Sequence, residues 1–349
     1  MNKVYITGLG NVSPQRTHDH AHFLDEITAV EATHVKVQDP GYKEYISGDI
    51  LRRMGRITRM GVASAMIALR DAGCSMPDAI ITGTGLGCIE DTEKFLNSMI
   101  RNKEEFLTPT SFIQSTHNTV GAQIALLLKC HQYNFTYVHR GISFESAMLD
   151  TLLRLSSGQA ETVLLGGLDE ITANTLEILQ RLGQIRRKPV LNLKVLSDPA
   201  RGAIAGEGSA FFVVSSRAGT KDYGTIREVR TLFYPSVQEI GSLIGEITGG
   251  TKPDAVILGV SGDPENDRLY KPFRDGIFHD LPQLYYKHLC GEYHTAPAFS
   301  LWLAAKILRT QQVPEITLLN GLRISGIRNI LLYNHYRNIN HSFILVSRS

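Results

Sequence analysis

The chain has 349 residues, 43% of them hydrophobic and 20% charged, and a formal net charge of only +2. Such a composition excludes bulk disorder, and the near-neutral charge gives no electrostatic case for nucleic acid or an anionic membrane. No apolar run approaches the roughly 20 residues a membrane helix needs. The opening MNKVYITG enters a strand pattern directly, without a signal-peptide core, so the expected location is cytoplasmic.

In chain order, the hydrophobic patterning predicts a strand at 4–7, a helix at 59–72, a strand at 79–83 and helices at 91–99 and 121–128. A strand at 135–138, a helix at 143–155 and strands at 162–165 and 210–214 follow. The remainder predicts strands at 255–259, 329–333 and 343–346 and a helix at 298–308. This alternation points to α/β layering. A small, polar stretch at 216–221 suggests a junction between lobes 1–216 and 217–349. The four cysteines (Cys74, Cys88, Cys130 and Cys290) are scattered and form no CxxC pair. They are expected to be reduced, buried and small-hydrophobic in character. No metal or cofactor is expected.

The chain also echoes itself. PDAIITGTG at 77–85 matches PDAVILGVS at 253–261, and HNTVGA at 117–122 matches HTAPA at 294–298 at nearly the same spacing. The endings at 209–215 and 342–347 are also alike. Duplication of one α/β lobe would produce this pattern.

The segment FTYVHRGISFESA at 135–147 is a β-prone run that breaks sharply into a helical pattern. A strand-to-helix bend thrusts its apical side chain outward, and a helix N-terminus favours an anion there, so such bends suit nucleophiles. The residue placed at the apex is Gly141, which has no side chain. His139 stands two residues before it. Ser143 is expected to cap the following helix, with Ser146 one turn further in.

Several motifs, in order, carry a resemblance. They are VYITGLGNVSP at 4–14, RITRM at 56–60, GTGLG at 83–87, TVLLGG at 162–167, GAIAGEGSA at 202–210 and DPEND at 263–267. The chain resembles the β-ketoacyl-acyl-carrier-protein synthases of the thiolase superfamily. That resemblance implies a duplicated five-layer αβαβα sandwich. It also implies a cysteine that takes the acyl group, with two histidines that assist malonyl decarboxylation and stabilise the oxyanion.

Carried over position by position, the cysteine falls on Gly141 and the first histidine on or beside Gly259. Both are therefore absent. The second histidine matches His294 and is kept. The lysine usual five residues before it is replaced by Leu289, and the family's glycine-rich gate becomes NHYRNIN at 334–340. Glu207 is expected to be a buried carboxylate that fixes a turn. His139 is a weak candidate for replacing the lost histidine. The basic residues Arg181, Arg186, Arg187 and Lys188 form either a solvated loop or a landing surface for an acidic carrier protein.

The resemblance then implies a degenerate, chain-length-factor-like member of fatty-acid or polyketide biosynthesis. Such a subunit would be relieved of condensation and would shape the acyl pocket of a catalytic partner. Its expected partners are an acyl carrier protein and either a second copy or an intact ketosynthase, with segment 109–118 near the interface. Two other readings stay open: an acyl- or malonyl-carrier-protein transferase or decarboxylase working without the cysteine, and a thiolase-fold binding protein outside lipid metabolism.

Overall fold

A computed structural model of the chain describes residues 3–105, 107–323 and 325–349. Its main sheet has ten strands. These are β1 (Val4–Val12), β2 (Ala79–Gly83), β3 (Tyr133–Tyr137), β4 (Thr162–Asp169), β5 (Gly208–Ser215), β6 (Gly224–Phe233), β7 (Ala255–Leu258), β8 (Gln283–Tyr285), β9 (Asn329–Tyr336) and β10 (Asn340–Ser347). The principal helices are α1 (Arg56–Ala72), α2 (Ile89–Arg101), α3 (Pro109–Gln114), α4 (Thr119–Leu128), α5 (Ser143–Ser156), α6 (Ala173–Arg181), α7 (Val237–Ile247) and α8 (Pro297–Thr310).

The sheet is two copies of one arrangement. The first half runs β1-β5-β4-β2-β3 and the second β6-β10-β9-β7-β8, joined where β1 pairs with β6. In each half the first strand is antiparallel to the last, and the three strands beyond it run parallel to one another. The matched sequences at 79–83 and 255–259 supply equivalent strands, β2 and β7, and the like endings supply β5 and β10.

The second echo does not mark equivalent places. His117 precedes α4, which lies between β2 and β3, whereas His294 precedes α8, between β8 and β9. The true counterpart of the His294 turn is the turn before α5, which contains Gly141.

Alternating strand residues set the layers, because successive side chains point to opposite faces. Ile80, Leu164 and Val213 pack outward under α1 and α4. Ile81, Leu165 and Phe212 face inward onto α5 and α8, and Ile257, Ile330 and Val346 meet the same helices from the other half. Val256, Leu331 and Phe343 pack under α7. The result is the αβαβα sandwich. Helix α8 is buried from Pro297 to Leu308. It has no polar face because it has a sheet on each side.

Of the cysteines, Cys88, Cys130 and Cys290 are buried and Cys74 is half-buried; all four are free. Among the described residues, no helix is long and apolar enough to cross a membrane.

Candidate functional site

The two central helices begin at opposite walls of one site. At the start of α5, the chain leaves β3, passes through Arg140 in a left-handed conformation (φ 46°) and makes a short 3-10 turn, Arg140–Ile142. A Cβ on Gly141 would lie 2.3 Å from Cγ and 2.4 Å from Cβ of Tyr336. Real contacts do not come that close. The space a side chain at position 141 would need is therefore occupied by a tyrosine, and burial raises the pKa of its phenol.

Tyr336 is delivered by a rigid hairpin. The expected loop at 334–340 is mostly strand: β9 continues to Tyr336, and β10 resumes at Asn340 directly opposite it. The turn between them uses Arg337 and Asn338, both left-handed (φ 53° and 55°), as a tight hairpin turn requires.

Two buried histidines brace this turn. His335 Nδ1 accepts from the Asn338 backbone N–H at 3.2 Å, and its Nε2–H donates to the Asn266 carbonyl at 3.1 Å. His341 Nε2–H donates to the Asn338 side-chain oxygen at 3.1 Å, and its Nδ1 accepts from the Tyr333 hydroxyl at 3.0 Å. Both imidazoles need to be neutral to do this. Burial lowers the His335 pKa well below its ordinary value and that of His341 to about 4.

The space beside Gly259, where the resemblance implied the first histidine, is occupied as well. Gly259 lies just beyond β7, and a Cβ there would sit 2.2 Å from Asn334 Oδ1 and 2.5 Å from the Tyr270 hydroxyl.

His294 lies on the facing wall. The residue that places it is Asp169, at the buried end of β4. Asp169 Oδ2 accepts from the Thr295 backbone N–H at 2.9 Å and the Thr295 hydroxyl at 2.8 Å. Its Oδ1 accepts from the Gly85 N–H at 2.8 Å, the Leu86 N–H at 3.3 Å and the Thr84 hydroxyl at 3.1 Å. One carboxylate thus ties the GTGLG turn to the histidine turn. Gly85 has to be glycine here, because its Cβ would come within 2.2 Å of the His294 ring. The rings of His294 and Tyr336 face each other at 5.3 Å.

These two rings help to line a cavity of about 360 Å³. Leu179, Leu182 and Ile185 give it an apolar wall, and Glu292, Arg201 and Arg337 contribute charge. Glu292 is paired at 2.6 Å with Lys287, whose side chain is buried. The family's lysine is absent at Leu289, but a different buried lysine stands two residues earlier. A larger, shallower groove of about 680 Å³ at Arg227 and Arg328 contains none of these groups.

The remaining candidates lie outside the cavity. His139 is exposed, and its Nδ1 is 3.5 Å from the Ser146 hydroxyl. The structure does not bring it together with His294. Ser143 is buried and is not the helix cap. Its hydroxyl accepts from the His139 N–H at 2.7 Å and donates to the Arg140 carbonyl at 2.8 Å, which fixes the turn. Ser146 donates back to the Ile142 carbonyl at 2.9 Å.

Glu145, on the first turn of α5, is fully buried, with neither carboxylate oxygen in a hydrogen bond among the described residues. Desolvation raises its pKa to about 7, against smaller opposing pulls from Ser342 and Lys287. Glu207 is a buried structural carboxylate: it accepts from the backbone of Val37 and Ile171 and pairs with Arg56. Among the described residues, no three His, Cys, Asp or Glu side chains are grouped to hold a metal ion.

The sequence profile of the β-ketoacyl synthase N-terminal domain matches residues 34–218, more than half of the chain. The chain belongs to the β-ketoacyl synthase family. Its fold is similar to that of the ishigamide ketosynthase/chain length factor, at 17% identity and TM-score 0.85, covering 100% of this chain and 99% of that one. It is also similar to a ketosynthase (ApeO) in complex with its chain length factor (ApeC) from Xenorhabdus doucetiae, at 14% identity and TM-score 0.76, covering 100% and 98%. A third similar structure is AntDE:AntF, a type II acyl-carrier protein in complex with its ketosynthase bound to the hexaketide, at 14% identity and TM-score 0.76, covering 100% of both. At these identities the likeness establishes the fold. No curated protein sequence matches the chain.

Within this family the arrangement has a clear chemical meaning. Nothing at the start of α5 can form a thioester. His294 can still present a ring nitrogen to a carbonyl oxygen held in the cavity. Asp169 and Tyr336, which organise the site, were not singled out from the sequence. A carboxylate at the end of an otherwise apolar buried strand was the available signal for Asp169. For Tyr336 there was none beyond its position in the altered gate.

Proposed function

We propose that this chain is a non-condensing ketosynthase homologue that pairs with a catalytic ketosynthase in fatty-acid or polyketide assembly and helps to shape the pocket for the growing chain. The observation that carries this is the Tyr336 ring packed on Gly141. The site has not merely lost its cysteine; the space has been filled and braced. Similar folds include a ketosynthase in complex with a chain length factor and one in complex with an acyl carrier protein, which are the partners proposed here.

The free edge of the sheet supports pairing. β3 is unpaired on its outer side, and Phe135, Val138, Leu149 and Leu153 form an exposed apolar face around it, with Leu153 66% exposed. Phe112 and Ile113 of α3 are exposed in the segment proposed to lie near the interface. An open strand edge flanked by apolar side chains is a liability unless another chain covers it. The proposed division into lobes 1–216 and 217–349 would leave this edge on the first lobe.

Co-expression with a cysteine-containing ketosynthase tests the pairing: a stable complex is expected, and failure of every such pairing would sink it. Mass spectrometry after incubation with acyl-carrier protein should show no adduct. A stoichiometric acyl adduct on Ser143 or Ser146 would overturn the non-condensing reading. The survival of His294 at the cavity favours one second reading, malonyl decarboxylation without an acyl-enzyme. That reading requires carbon dioxide release from malonyl-carrier protein that disappears in His294→Ala.

A further inference from the structure

The basic run before β5 is not the solvated loop its composition suggests. Arg187 and Lys188 are exposed, but Arg186 between its neighbours is buried, at 3% exposure. Its backbone is fixed, because its N–H donates to the Ala203 carbonyl at 3.0 Å and its carbonyl accepts from Gln180 at 3.1 Å. Its side chain is poorly satisfied. One terminal N–H reaches the Asp198 carbonyl at 3.3 Å, and the buried Nε–H has no partner among the described residues. None of the described carboxylates forms an ion pair with it. Asp198 and Asp263 act on it only at longer range, and burial lowers its pKa, an unusual condition for a guanidinium.

Burying an unpaired cation is unfavourable, and it is tolerated where a partner arrives from outside. Arg186 lines a cavity of about 430 Å³, separate from that of His294 but sharing Gly183, Ile185 and Arg201 with it. Arg181, Arg187, Lys188 and Arg201 surround the same space, with Asp198 as its one acidic side chain among the described lining residues. Arg181 is already engaged by Glu177. That leaves a recessed guanidinium with three further cations around it.

We propose that this cavity is an anion site that takes a phosphoryl group, with Arg186 as its buried anchor. A tetrahedral phosphoryl group presents several acceptor oxygens and can meet donors converging from different directions. A carboxylate on a folded protein surface would have to reach into the recess with one side chain. The proposal is independent of the pairing role, since it concerns the isolated chain and a small anion.

Calorimetric titration of the full chain with inorganic pyrophosphate, inorganic phosphate and a deca-glutamate peptide tests it. Pyrophosphate is expected to bind below about 1 mM and to weaken at least about tenfold in Arg186→Gln. Arg187→Gln and Lys188→Gln, on the exposed rim, should each weaken it about threefold. They carry the test if Arg186→Gln does not fold by circular dichroism. Unchanged binding in the folded variants overturns the site, as does no pyrophosphate binding at all. Tighter binding of the peptide than of pyrophosphate also overturns it, since it would assign the patch to an acidic protein surface.

Discussion

Helices α5 and α8 start at equivalent points of the two half-sheets, in the same central layer, yet the two starts have opposite contents. The α8 turn carries His294 and is held by two of the five hydrogen bonds that converge on Asp169, the other three tying the GTGLG turn to the same carboxylate. The α5 turn carries no side chain at Gly141, and Tyr336, borne on a strand from the other half, covers it. One wall keeps a functional group in a prepared setting. The other has been closed by a neighbour. Symmetry of fold does not preserve symmetry of chemistry, because each start is finished by groups from elsewhere in the chain.

Removing the support of the intact wall should have the largest effect. Asp169→Ala leaves three backbone N–H groups and two hydroxyls without their acceptor, and a loss of about 3 kcal/mol or more is expected. Denaturant melts read this directly. Asp169→Asn should fall between, since its amide opposes N–H donors with an NH₂ group.

Filling the closed wall should cost less. Gly141→Cys meets Tyr336 and is expected to lose about 1–3 kcal/mol through overpacking. In Gly141→Cys/Tyr336→Gly the two effects should couple, with about 1 kcal/mol or more recovered and the thiol open to iodoacetamide. Strict additivity would show that the two residues do not share the space.

The carboxyl behind the closed wall gives a pH signature. The folded pKa of Glu145, about 7, lies above its ordinary 4.5. Its contribution is therefore fully present below pH 4.5 and is lost as pH rises through about 7. Glu145→Gln should flatten the fall in stability between about pH 4.5 and 7, by an amount on the order of 1–3 kcal/mol. A pH profile parallel to that of the parent protein would show that Glu145 does not titrate in this range. The smallest effect is expected at His139, which is exposed and outside the cavity. His139→Ala should change stability by less than about 0.5 kcal/mol in denaturant melts.

Much of this was legible in residues. The buried strands at 79–83 and 162–169 announce themselves because both faces are covered and the run is almost wholly apolar. Helix α7 was readable but passed over: Ser236 and Glu239 form a capping box just before an amphipathic stretch. Strand β6 was obscured by its charges, Arg227, Glu228 and Arg230, which project from a strand buried mainly at its start.

The glycine at the strand-to-helix bend was visible in the sequence, at the position where the resemblance implied a cysteine. What filled it was not, because the contact joins positions 141 and 336, and no local pattern links them. The burial of Arg186 was hidden for the same reason. An arginine followed by two further cations looks solvated until its backbone N–H bonds the Ala203 carbonyl and the segment is drawn inward.

The tyrosine over Gly141 also bears on how such a protein can change. Introducing a thiol at the bend looks like a small step, a single Gly141→Cys substitution. In this chain that step would place the new side chain inside an aromatic ring, on a hairpin braced by two histidines. Unless the neighbour shrinks too, the new thiol is packed against the ring, and shrinking the neighbour alone confers no nucleophile. A thiol at position 141 that is open to the cavity therefore takes two changes, one at position 141 and one at position 336.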